Sequence, residues 1–130
     1  TRTSTLFPYT TLFRSACLKA VAGMIREGLH WPGDVAARFG GEEFCILLPN
    51  TPYDAALTVI ERIRQQIAGT PVRVEGKDIH LTISAGICTV SPAELDNAER
   101  ALKLADTALY QAKANGRNRT ESLHPTAEVQ

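Results

Sequence analysis

Apolar residues recur along this chain with two different periods. Leu18, Val21, Ala22 and Ile25 return every three or four positions, which predicts a helix over 16–28, with Gly28 suited to its end. Ala56, Val59, Ile60, Ile63 and Ile67 form a second stripe. Thr51-Pro52-Tyr53-Asp54 opens it, with Thr51 as cap, Pro52 at the first helical position and Asp54 at the positive end, and Gly69 closes it. Glu61, Arg62, Arg64 and Gln65 fill the opposite side and read as solvated surface. Ala101, Leu102, Ala105, Ala108, Leu109 and Ala112 predict a third helix from about Ala98 to Asn115, capped by Gly116, with cap-like openings at Ser91–Glu94 and Asp96–Glu99.

Between these stripes the period shortens. Val35–Phe39 and Phe44–Leu48 are strand-length runs on either side of Gly40-Gly41, a dipeptide that a two-residue hairpin turn prefers because the turn needs positive φ. Trp31-Pro32-Gly33-Asp34 reads as the turn ahead of this hairpin. Val72–Glu75 alternates, Glu75–Asp78 turns, and Ile79 to Val90 reads as one long β-rich run. In that run Ile79, Leu81, Ile83, Ala85 and Ile87 share one face, and Ser84-Ala85-Gly86 marks a place where a ligand or backbone comes close. Asn118–Ser122 adds an edge strand. The pattern predicts an α+β domain with helices packed on a largely antiparallel central sheet.

Residues 1–15 do not follow this pattern. Thr5-Leu6-Phe7 recurs as Thr11-Leu12-Phe13, and the segment has no acid and no clear period. A foreign leader joined to an incomplete domain is the expectation, with a short native β-strand as the rival reading. The domain proper is expected over 16–122, and 123–130 is expected to be a disordered tail.

Composition narrows the function. With a formal net charge of zero in 130 residues, the chain lacks the basic excess of a general nucleic-acid binder. No apolar run reaches membrane-spanning length, and a cytoplasmic setting is expected. Cys17, Cys45 and Cys88 are scattered; Cys45 and Cys88 lie in apolar runs and read as buried free thiols. His30, His80 and His124 show no ligand spacing and read as surface or loop.

The candidate chemistry sits at the hairpin. Glu42 and Glu43 directly follow the glycines, at the mouth of an apolar strand. Adjacent carboxylates there are costly to bury unless something binds them, and an oxygen-seeking divalent cation arriving with substrate phosphates is a natural partner. A solvent-exposed tip with two solubilising acids is the alternative. Lys113 and Arg117, four apart near a helix end, are expected to share one face suited to a triphosphate, or otherwise to complement the helix dipole.

These residues carry a family resemblance. Gly40-Gly41-Glu42-Glu43-Phe44 resembles the signature of the GGDEF domain of diguanylate cyclases, in its Glu-for-Asp form. Asp34–Phe39, Leu81–Ile87 and Leu104–Asn118 resemble the family's pre-signature run, its Thr-x-Ser-x-Gly strand and its final helix, so the likeness spans about Ala16 to Glu121. The resemblance implies a palm-like nucleotide-cyclase fold, lacking its first strand here. It implies condensation of two GTP into cyclic di-GMP and two pyrophosphates by a homodimer with Mg²⁺, or Mn²⁺ in its place. It further implies Glu42 as metal ligand and catalytic acid, Glu43 at the reacting centre, Gly40 and Gly41 on the nucleotide, and Lys113 and Arg117 on the terminal phosphates. The family's metal-binding Asp would fall before Thr1, its guanine-reading Asn near Leu6 and its guanine-reading Asp at Ser15, and none of these residue types is present there. Its inhibitory Arg-x-x-Asp motif keeps Asp34 but has Trp31 in the Arg position. A non-catalytic module that binds GTP or a partner protein, or a dimerisation unit of a sensor, is the alternative function.

Overall fold

The computed structural model describes residues 2–5, 11–91 and 98–125. Its elements run β1 (Arg2–Thr5), α1 (Thr11–Glu27), β2 (Val35–Arg38), β3 (Glu43–Leu47), α2 (Tyr53–Gly69), β4 (Val72–Val74), β5 (Lys77–Ile79), β6 (Ile83–Ile87), α3 (Ala98–Ala114) and β7 (Thr120–Ser122). The main sheet has the order β2-β3-β1-β6-β7, and β4 and β5 form a separate ribbon. Within the sheet only β6 and β7 pair parallel, so the expected α+β class with a largely antiparallel sheet holds.

Helices cover both faces. Cys17, Leu18, Val21 and Ile25 of α1 and Ile60, Ile63 and Ile67 of α2 pack with Phe44, Ile46, Ile83, Ala85 and Ile87 in one core. On the other face α3 lies against β6, β7 and β1 and buries Ala105, Ala108, Leu109 and Ala112. β6 is therefore buried along its whole length. A methyl group at Gly86 would overlap the carbonyl oxygen of Ala105 and the amide nitrogen of Leu109. The small residues in β6 thus admit the backbone of α3, whose alanine face allows this close approach.

Several expectations are corrected. The sheet does not lack its first strand: Arg2–Thr5 lies at its centre, with Ser4 opposite both Glu43 and Ser84. The facing edges of β3 and β6 each need backbone partners, and a Thr-containing segment is compatible with strand geometry whatever the rest of its side chains. α1 begins at Thr11 rather than 16, and Phe13 packs partly buried against the core. The run from Ile79 to Val90 is not one strand. A turn with positive φ at Glu75 and Gly76 folds β5 onto β4, and the chain leaves that ribbon before joining the main sheet as β6. Thr51 does not cap α2; its hydroxyl donates to the Pro49 carbonyl at 2.9 Å, and Pro52 stands at the cap position. The fully buried thiol is Cys17, whereas Cys45 and Cys88 are half-buried.

The cap-like openings around residues 92–97 lie outside the described residues, as does the tail beyond 125. Leu123 and His124, expected in that tail, are held. The Leu123 amide donates to the Ile87 carbonyl at 3.0 Å. The His124 ring meets Tyr53 edge-on at 4.8 Å, and its Nδ1 accepts from the Thr89 amide at 3.0 Å. Among the described residues no helix is long and apolar enough to cross a membrane.

Candidate nucleotide and metal site at the hairpin edge

The β2–β3 connection is longer than a two-residue turn. The Phe39 amide donates to the Glu43 carbonyl at 2.6 Å, and the Glu43 amide donates to the Gly40 carbonyl at 3.0 Å. Gly41 and Glu42 are therefore the central residues of a tight turn running from Gly40 to Glu43. Gly40 and Gly41 have φ of 92° and 51°, and a Cβ at either would meet nothing within 4 Å. It is thus conformation, not crowding, that calls for glycine here, and the open side leaves the backbone approachable. The Arg38 Nε braces the turn by donating to the Gly41 carbonyl at 2.9 Å. Glu42 sits within the turn and Glu43 begins β3.

Glu42 is already engaged. Arg14 Nη2 lies 2.7 Å from its Oε1, and the Glu42 side chain is only 20% exposed. Arg14 projects from the first turns of α1, so the start of that helix and the hairpin tip face each other. Behind them α1 and β2 enclose an open cleft of about 740 Å³, with Arg14, Lys19, Arg26 and Arg38 among its polar lining and Leu18 and Phe44 on its apolar side. A concave surface that combines several cations with an apolar wall suits an anionic, aromatic ligand. Asp34 also lines this cleft, and its Oδ1 is buried with no hydrogen-bond partner among the described residues. Trp31 projects into solvent at 73% exposure, linked to Asp34 only through the turn hydrogen bond from the Asp34 amide to its carbonyl.

Lys113 and Arg117 do not share a helix face. α3 ends at Ala114, and Gly116, Arg117 and Asn118 follow with φ of 120°, 63° and 47°. This left-handed run ends the helix before the second cation is reached. The sheet nevertheless brings the loop to the same end as the hairpin turn. Glu43 is opposite Ser4, Ser4 is opposite Ser84, and the Ala85 amide donates to the Arg119 carbonyl at 3.0 Å. Residues Arg117–Arg119 therefore enter β7 at the same end of the sheet as Glu42 and Glu43. Three strand spacings separate them, about 14 Å, a span that a nucleoside triphosphate with its metal can bridge.

The residues here fit a divalent cation in one way only. Among the described residues no group of three or more His, Cys, Asp or Glu is placed to hold a metal. One or two carboxylates suffice for a hard cation such as Mg²⁺ when substrate phosphates supply further oxygens, and Glu42 and Glu43 meet that lesser requirement.

Three arginines escaped the sequence reading. Arg14 lay in the segment set aside as a leader. Arg64, taken as solvated surface, is 15% exposed and all three of its guanidinium nitrogens are engaged. Its Nε and Nη2 donate to Glu61 at 2.7 and 2.8 Å, and its Nη1 donates to the Asn118 carbonyl and Oδ1 at 3.1 and 2.8 Å. Glu61 also accepts from the Thr120 hydroxyl at 2.5 Å. The hydrogen bond from Arg64 holds the Glu61 carboxyl below its ordinary pKa, and Glu61 in turn raises that of Arg64. The Glu61–Arg64 spacing of three was the available signal. Arg62, also taken as plain surface, donates from Nη2 to the Gly28 carbonyl at 2.6 Å.

The comparisons with known proteins point to one family. The family model described as "Diguanylate cyclase, GGDEF domain" matches residues 14–119. Diguanylate cyclase A of Treponema denticola is 45% identical over 102 residues, covering 78% of this chain and 27% of the relative. Diguanylate cyclase DgcP of Pseudomonas aeruginosa is 43% identical over 104 residues, covering 80% of this chain and 15% of the relative. The chain thus spans about a quarter or less of the length of these curated relatives. Among solved structures, the active GGEEF domain of a diguanylate cyclase from Vibrio cholerae superposes with a TM-score of 0.79 at 26% identity, over 96% of this chain and 81% of that one. The GGDEF domain of DgcB from Caulobacter crescentus, in complex with c-di-GMP, gives 0.78 at 25% identity, over 93% of this chain and 74% of that one. With its signature hairpin, its sheet order and a family match over most of its length, the chain belongs to the diguanylate cyclase GGDEF domain family.

Proposed function

We propose that this chain is the catalytic module of a diguanylate cyclase, condensing two GTP into cyclic di-GMP with Mg²⁺ as a homodimer in the cytoplasm. The observation that carries this reading is the intact Gly40–Phe44 signature turn, set at the same end of the sheet as the Arg117 loop and beside the cationic cleft. Gly40 and Gly41 offer backbone to the nucleotide. Lys113 and Arg117 approach its terminal phosphates, and Glu42 would hold the cation, which would neutralise charge on the transferring phosphate. The 3′-hydroxyl oxygen of one GTP bonds to the α-phosphorus of the other. The α–β bridging bond breaks, pyrophosphate leaves with that electron pair, and the Glu43 carboxylate is at hand for the hydroxyl proton. Each GTP holds only one of the two reacting hydroxyls, so two protomers must face each other. The relative from Vibrio cholerae, described as active, carries the same Glu-for-Asp signature.

A second reading is a non-catalytic module that binds GTP or a partner protein. It is favoured by β1, where Arg2-Thr3-Ser4-Thr5 supplies no carboxylate beside Glu43. Incubating the chain with GTP and Mg²⁺, and resolving products by chromatography and mass spectrometry, separates the two. Cyclic di-GMP that disappears in Glu43→Gln supports the cyclase. A folded chain that binds GTP without forming product supports the binding module.

A further inference from the structure

The loop that carries Arg117 is conformationally expensive. Arg117 and Asn118 both have positive φ, a state that costs a non-glycine residue about 1 kcal/mol or more and persists only where its surroundings enforce it. Part of the enforcement is local: the Arg117 amide donates to the Ala112 carbonyl at 2.9 Å, and Arg119 Nε to the Arg117 carbonyl at 3.3 Å. The rest comes from α2, far away in sequence. One Arg64 nitrogen grips Asn118 at both its backbone and its side-chain oxygen, while the other two are locked in a fork on Glu61. Glu61 then takes the Thr120 hydroxyl, so the loop is held on both sides of Arg119. With all three guanidinium nitrogens engaged and the side chain largely covered, Arg64 acts on the loop rather than on a ligand. Arg117, by contrast, is exposed and makes no side-chain hydrogen bond among the described residues.

We infer that Arg64, locked by Glu61, is a positioning residue that holds the Gly116–Arg119 loop and thereby presents Arg117 to the phosphates of the bound nucleotide. This rests on the nucleotide reading above. The forked geometry matters, because an ammonium at this place could not serve Glu61 and Asn118 together.

The test is a double-mutant cycle on GTP–Mg²⁺ affinity, measured by calorimetry with the Arg64→Gln, Arg117→Ala and combined variants. Arg117→Ala is expected to weaken binding about tenfold, as loss of one charge-assisted contact does. Arg64→Gln is expected to weaken it several-fold alone and less than twofold in the Arg117→Ala background, because it acts through Arg117. Additive losses, or no loss from Arg64→Gln, overturn the inference while leaving the nucleotide reading in place. No loss from Arg117→Ala, or no GTP binding by the parent chain, overturns the reading beneath it. Should Arg64→Gln fail to fold, Asn118→Gly keeps the positive φ while removing one anchor, and the same non-additivity with Arg117→Ala is expected. A purely structural role would lower the melting temperature and leave affinity unchanged.

Discussion

Arg14 and Glu42 meet at 2.7 Å across the gap between α1 and the signature turn. The acid that the family resemblance gives to the metal is thus held by a guanidinium. A cation and Arg14 compete for the same carboxylate oxygen. Exposed pairs of this kind contribute up to about 1 kcal/mol, so Arg14→Ala is expected to tighten Mg²⁺-dependent GTP binding by about two- to fivefold. Titrating GTP at several Mg²⁺ concentrations checks this; unchanged affinity would show that Arg14 swings away at no cost.

Gly86 and Gly40 predict different outcomes for the same substitution. At Gly86 an added methyl meets the backbone of α3, which cannot yield as a side chain could. Gly86→Ala is expected to destabilise by about 3 kcal/mol, the upper end of overpacking costs. Gly40 has open space but φ of 92°, so Gly40→Ala carries strain alone, about 1–2 kcal/mol. Urea denaturation of both variants measures the ordering.

The Glu61–Arg64 pair sets an acid limit on the loop. Because the folded Glu61 pKa is depressed, its contribution is fully present above the ordinary glutamate value, about 4.3. It is lost as the pH falls through the lower folded value. Amide protection at Asn118–Thr120, taken relative to the intrinsic exchange rate at each pH, is therefore expected to fall on acidification more steeply in the parent chain than in Glu61→Gln. Parallel profiles would show that the carboxylate does not hold the loop.

Thiol chemistry distinguishes the cysteines. Burial raises the Cys17 pKa, leaving it protonated and unreactive at neutral pH. A maleimide is expected to label Cys45 and Cys88 and to reach Cys17 only on unfolding, as mass spectrometry of the labelled peptides would show. Early labelling of Cys17 would mean that α1 opens readily.

Local pattern carried much of this protein. The stripes of α2 and α3 were legible because an amphipathic helix writes its buried face at a regular spacing, and Ala105, Ala108, Leu109 and Ala112 are buried as that spacing requires. The signature turn was legible because positive φ leaves glycine as the ready choice. The break between β5 and β6 was not, because Leu81 stays buried while leaving the ladder and the apolar alternation runs on unbroken. Nor was the role of Arg64, since a charge on a polar helix face reads the same whether it meets water or the carbonyl of Asn118.

The amino-acid sequence by itself determined the α+β class, the faces of the helices and the chemistry offered at the Gly40–Phe44 turn, all of which depend on neighbours within a few residues. Tertiary structure alone decided that Arg2–Thr5 fills the centre of the sheet, that Arg14 reaches Glu42, and that the Arg117 loop comes to the same end of the sheet as the hairpin. The reason is physical. Periodicity reports how a segment is buried, whereas strand order and ion pairs depend on which distant segments supply the missing hydrogen bonds, and backbone donors and acceptors are the same in every residue but proline.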